Sequence, residues 1–164
     1  MKFPRAVRLD ESDTEVYANP AVPGEWAVPG SFAFVERDPA KLGGKELQAF
    51  GHGFLGVESF GWSTLVEVAE ITEEEYQQVI DRLAGHFVER YGAPDLATAL
   101  PAAREEASFA ASICEHEPHT LLMLERESGE EGIVERFKVV RLNAADHNNI
   151  KLWELVEEEQ ESRD

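Results

Sequence analysis

The clearest pattern begins at Thr72. Tyr76, Val79, Ile80, Leu83, Phe87 and Tyr91 recur at helical spacing along one stripe. Thr72 followed three residues later by Glu75 makes a capping box, and Glu73–Glu75 suit the positive end of a helix dipole. Gly92 can take the left-handed conformation that closes a helix, and Pro94 prevents continuation. The spacing predicts a helix over 73–91. A second helix is predicted over 101–116. Pro101 suits a first helical position, and residues 102–115 are rich in Ala and Glu, both strong helix formers. Ala103, Ala107, Ala110 and Cys114 form a small-residue stripe with Phe109 and Ile113 beside it, and Pro118 stops the helix.

Elsewhere the period is two. Residues 3–9 read as a first strand with Phe3, Val7 and Leu9 inward, and 15–17 as a short second one. Asn19-Pro20, Pro23-Gly24 and Pro29-Gly30 punctuate a loop anchored by Trp26 and Val28. Residues 31–36 read as a strand with Phe32 and Phe34 on one face. Glycines 51, 53, 56 and 61 argue against a regular helix over 45–61. The strongest strand is 62–71. Its apolar residues fall on both faces, which predicts an interior position. Leu121–Leu124 mark a buried strand over 119–127, Ser128–Gly132 a hairpin loop, and 133–142 the returning strand. Residues 150–156 predict a last strand, and 157–164 a charged, frayed tail. Strands, then two helices, then strands predict an α+β fold with a mostly antiparallel sheet, in one domain over 1–156.

Composition sharpens this picture. A chain of 164 residues, 43% hydrophobic and 29% charged, is globular and long enough for a sizeable core. Its 33 acidic and 15 basic residues leave a net charge of -18. Such a chain repels phosphate backbones and anionic lipid surfaces, so neither a nucleic-acid nor a membrane partner is expected. A protein partner and a homo-oligomer remain open. The first residues lack the apolar run of a signal peptide, and no stretch is long enough to span a bilayer. The one cysteine, Cys114, has no internal disulfide partner. These features predict a cytoplasmic protein.

Several motifs carry candidate chemistry. Gly51, Gly53 and Gly56 fall in a G-x-G-x-x-G pattern, which in a dinucleotide site follows a strand and opens a helix. Neither context is evident here. The alternative is a glycine-rich crossing that relieves crowding beside Phe54, Phe60 and Trp62. Cys114, His116 and His119 are spaced for a metal centre if a helix end brings them together, with His52 or His147 as a further ligand. Otherwise Cys114 packs in the core and the histidines sit at a helix C-terminus. A thiol nucleophile at Cys114 beside His116 conflicts with its place late in a helix, since activated cysteines favour N-termini. Asp146-His147 makes a polar dipeptide without further support, and no pair of carboxylates stands out among so many. No G-x-S-x-G, P-loop or H-E-x-x-H motif occurs. Trp26, Phe32, Phe34, Phe54, Phe60 and Trp62 either line an apolar ligand pocket or form ordinary core.

Lys2–Asp10, Pro23–Val28 and Gly61–Ile71 resemble an uncharacterised bacterial, mainly proteobacterial, family of about this length. The resemblance implies no catalytic or binding residue. It implies an association with molybdoenzyme maturation genes, and hence an accessory role. The expected function is therefore a non-catalytic binding or accessory protein aiding assembly of a larger enzyme system. A metal-binding protein or small enzyme built on residues 114–119 is one alternative, and a small-ligand carrier another.

Overall fold

The computed structural model describes residues 1–141 and the strand at 155–159. Its fold is α+β. A five-stranded antiparallel sheet has the order β1-β5-β6-β7-β8, formed by β1 (Lys2–Val7), β5 (Leu65–Glu70), β6 (Leu121–Gly129), β7 (Gly132–Val140) and β8 (Leu155–Glu159). A smaller antiparallel sheet joins β2 (Ala27–Val28), β3 (Phe54–Gly56) and β4 (Trp62–Ser63). The chain contains four α-helices among the described residues, where the sequence predicts two: α1 (Ser12–Val16), α2 (Gly44–His52), α3 (Glu73–Arg90) and α4 (Leu96–Ser112). No helix among them is long and apolar enough to cross a membrane.

The α3 helix forms where the sequence places it. Thr72 Oγ1 accepts from Glu75 N at 3.1 Å, and the Glu75 carboxylate accepts from Thr72 N at 2.9 Å. Val79, Ile80, Leu83, Ala84 and Phe87 are buried along its inner stripe. Gly92 adopts φ +78 after the helix end. The α4 helix starts earlier than Pro101 suggests. Asp95 caps it through Thr98 N at 2.8 Å, which places Pro101 inside the helix. It also ends at Ser112, short of 116. Ala99, Ala103, Ala107 and Ala110 are buried, and these small side chains let α4 lie close to α3, β1 and β2.

Six further differences shape the molecule. Residues 15–17 do not form a strand, because Ser12–Val16 make a short helix that buries Asp13. Residues 31–36 do not form a strand either. Gly30 at φ +79 reverses the chain, and Ser31–Phe34 wind into a single 3-10 turn with no sheet partner. Residues 44–52 are helical despite Gly51. Lys45, Glu46, Leu47, Gln48 and Ala49 are good helix formers, and the other glycines of the motif lie beyond the helix end. The predicted strand 62–71 divides at Thr64, its first two residues joining the small sheet and the rest the large one. β5 then stands between β1 and β6, as apolar residues on both its faces require. The hairpin turn is tighter than expected, with only Glu130-Glu131 between paired Gly129 and Gly132. β8 pairs with β7, so Glu157–Glu159 continue a strand where the sequence reads as tail. The residues 150–154 of the predicted last strand lie outside the described residues.

The β6–β7 hairpin has two unlike faces. Leu122, Leu124, Phe137 and Val139 point inward against Phe109, Ile113 and Cys114. The alternate positions carry ion pairs, Arg136 to Glu127 and Lys138 to Glu125.

Candidate functional site

The residues with the most suggestive chemistry in the sequence do not gather. Cys114 is 1% exposed, and burial pushes its thiol up to about 12, with Lys2 opposing weakly. A thiol so protonated is not a nucleophile at neutral pH. The His116 carbonyl accepts from Lys2 Nζ at 2.6 Å. His119 turns outward at φ +73, its side chain 80% exposed and 3.8 Å from the Glu67 carboxylate. His52 lies on another helix, its Nδ1 3.2 Å from the Leu124 carbonyl. Asp146 and His147 lie outside the described residues. Among the described residues, no three His, Cys, Asp or Glu side chains are grouped to hold a metal.

The glycine motif has the opposite polarity to a dinucleotide site. Gly51 is in the last turn of α2, and Gly53 and Gly56 belong to the chain that follows. No helix N-terminus stands behind them to receive a phosphate. Both later glycines relieve crowding. A Cβ at Gly53 would stand 2.7 Å from the Trp62 indole, and one at Gly56 only 2.3 Å from the Glu25 carboxylate.

A cleft of about 1260 Å³ opens elsewhere, between the 3-10 turn, α2, the β3–β4 segment and the end of α3. That exceeds the roughly 300–1,000 Å³ of common small-molecule sites. Its walls are ring-rich. Phe32 meets Phe87 edge-on at 4.8 Å and Tyr91 at 5.3 Å. Phe34 lies 5.3 Å from Phe50 and 5.2 Å from Trp62. Phe60 stacks flat on His86, 3.7 Å apart and inclined by only 4°. Burial holds the His86 imidazole below its ordinary range, Arg90 and Arg82 push it the same way, and Glu89 opposes them. His86 is therefore neutral at pH 7 and presents a polar edge within an aromatic wall.

Two buried charged groups build this cleft. The first is Glu25, which holds the loop carrying Phe60. Its carboxylate accepts from Val22 N at 2.6 Å, Glu58 N at 2.8 Å, Ser59 N at 2.9 Å and Ser59 Oγ at 2.6 Å. Ser59 Oγ in turn accepts from Gly61 N at 3.0 Å. Arg82 donates to the Glu58 carbonyl at 2.9 Å, and its guanidinium lies 5.6 Å from the Phe60 ring. Phe60 itself sits at φ +54, a conformation costing a bulky residue about 1–3 kcal/mol. The network around Glu25 over-determines the loop and holds that strain in place.

The second group is Arg126, fully buried and paired across the hairpin with Glu135 at 2.8 Å. Its guanidinium also donates to the carbonyls of Phe50 at 2.7 Å, Pro29 at 2.6 Å, and Ala49 and Gly53 at 3.2 Å each. A cation at the C-terminal end of α2 complements the helix dipole. One side chain thus ties α2 and the Pro29-Gly30 turn to the large sheet. Those elements carry the Phe34 and Ala49 wall of the cleft.

Sequence reasoning flagged Phe32, Phe34, Phe60 and Trp62 as a pocket or a core, and the structure puts all four on the cleft. Trp26 packs instead against Phe3, and Phe54 against Phe137. It missed His86, Arg90 and Tyr91. The available signal was the spacing of Arg82, His86 and Arg90, four residues apart beside the apolar stripe of α3.

Fold and cleft together define an α+β protein with an aromatic-walled recess and polar groups at its edge. The chain belongs to the DUF6505 family, a family of unknown function, whose model matches residues 1–157. No curated protein and no solved structure matches it.

Proposed function

We propose that this is a non-catalytic binding protein and that its cleft takes a planar, largely apolar small molecule. The observation that supports this best is Phe60. A bulky residue keeps a left-handed backbone, held by a buried carboxylate, with its ring against His86 at the cleft wall. Retained strain of this kind accompanies ligand-holding geometry more than it serves packing. The small-ligand reading gains over the metal reading because residues 114–119 and His52 do not converge. Within the same reading, the protein is an accessory to a larger enzyme system in a bacterial cytoplasm. The charge of -18 supports that role by keeping the chain away from nucleic acids and anionic lipid.

The test uses N-phenyl-1-naphthylamine, a neutral ring probe. Saturable fluorescence enhancement and a raised Tm are expected, since a ligand bound only to the folded state stabilises it. Trp62→Ala should weaken binding roughly two- to tenfold, the scale of one aromatic contact. Absence of both saturation and thermal shift with the folded protein would defeat the reading. A pull-down from the native cell that recovers no specific partner would remove the accessory role.

A further inference from the structure

The α3 helix grips the Phe60 loop through two residues one turn apart. Arg82 donates from Nη2 to the Glu58 carbonyl at 2.9 Å and pairs with the Glu58 carboxylate at 3.4 Å. His86, four residues on, lies flat on the Phe60 ring at 3.7 Å. Phe60 keeps φ +54 only while its surroundings fix it, so the loop has a less strained arrangement to relax into. Of the groups in this grip, histidine is the one whose charge changes near neutral pH.

The surroundings of His86 disfavour a proton. On its own helix Arg82 and Arg90 stand one turn before and after it, and like charges at that spacing repel. Glu89 opposes them, and the Tyr91 ring lies 5.3 Å away. On the Phe60 loop, Glu58 is engaged by Arg82. From the 3-10 turn the facing group is the uncharged Phe32 ring at 6.4 Å. The other charged residues lining the cleft are Glu36, Arg37, Lys45 and Glu46, and Arg37 pairs with Glu46. A cation is attracted to an aromatic face, but the Arg82 guanidinium already lies 5.6 Å from the centre of the Phe60 ring. A second cation on that ring adds repulsion.

We infer that the His86–Phe60 stack is a pH-sensitive latch: a proton on His86 releases the Phe60 loop, loosens the cleft wall and lowers affinity for the occupant. This rests on the proposed binding role of the cleft and adds its regulation. The direction is set by burial and by Arg90 and Arg82, which hold the imidazole below its ordinary range. The latch is therefore closed above pH 6.5 and opens as pH falls through the folded value.

Two measurements on wild type, His86→Phe and His119→Gln test this together. His86→Phe keeps a ring that cannot titrate, and His86→Gln replaces it if it fails to fold. Amide exchange over residues 58–61, corrected for intrinsic rates, reads the latch without ligand. Titration with N-phenyl-1-naphthylamine, uncharged throughout, reads the cleft. From pH 7.5 to 5 the wild type should lose protection over 58–61 and bind the probe roughly two- to tenfold more weakly, the scale of one aromatic contact. His119→Gln should do the same, and the His86 variant should show neither change. Unchanged protection in the wild type overturns the inference. So does a loss of protection or affinity that the His86 variant shares, or that His119→Gln abolishes. Saturable binding whose strength ignores pH also overturns it and leaves the cleft reading intact. No binding at any pH removes the inference and the cleft reading together.

Discussion

Two regions of this molecule contrast in an instructive way. The turn at residues 114–119 holds a cysteine and two histidines within six positions, yet its groups point apart: the thiol inward, His119 into solvent, and the His116 carbonyl toward Lys2. The cleft draws on five separate segments, none chemically distinctive alone, and converges them on one recess. Nearness along the chain is thus a poor guide to convergence. What makes the cleft is long-range anchoring, through Arg126 to α2 and through Glu25 to the Phe60 loop.

The largest expected effect breaks that anchoring. Arg126→Met leaves Glu135 buried without its cation and frees four carbonyls. It should cost about 3–5 kcal/mol by urea denaturation and abolish probe binding. A loss below about 1 kcal/mol would show that the pair does not organise the wall.

Next comes the contrasting region. Cys114→Ser puts a hydroxyl among Phe109 and Ile113 and should destabilise by about 1–3 kcal/mol. Probe affinity should stay unchanged, and added zinc should not raise the Tm of the wild type. A zinc-dependent rise that His116→Ala removes would restore the turn as a site.

A smaller effect separates the Phe60 ring from its backbone. Phe60→Gly and Phe60→Ala both lose the stack on His86, and both should weaken the probe. Glycine alone accepts φ +54 without strain, so Phe60→Gly should be the more stable of the two by about 1 kcal/mol. Equal stabilities would mean the loop relaxes once the ring is gone.

The smallest is a pH dependence. The folded His86 pKa lies below its ordinary 6.5, so the unfolded chain binds the extra proton first. This contribution to stability is present above pH 6.5 and is lost as pH falls through the folded value. Tm followed from pH 7.5 to 5 should fall more in the wild type than in His86→Gln. Parallel curves would contradict a neutral, packed imidazole.

Much of this architecture was readable in advance where signals are local. The capping box at Thr72, the stripe of α3, the closing Gly92 and the β6–β7 hairpin all rest on contacts a few residues apart. The misreadings have separate causes. Phe32 and Phe34 alternate as in a strand, but no neighbouring strand reaches them, and Gly30 turns the chain. Gly51 looked like a breaker, but it falls in the last turn of α2, where little helix remains to destabilise. Asp95 outcompeted Pro101 as the start of α4 because a capping side chain satisfies backbone donors that proline merely lacks.

By itself the amino-acid order determined the class of fold, the placement of α3, the buried character of β5 and β6, and the strongly acidic balance. Each follows from spacing or composition, which need no partner. Tertiary structure alone decided that Glu25 and Arg126 are buried, that four of the flagged aromatics share a wall with His86 and Tyr91, and that Cys114 is buried while His119 faces solvent. Those outcomes depend on which distant backbone groups a side chain meets, and such meetings are set only when the sheet and helices close on one another.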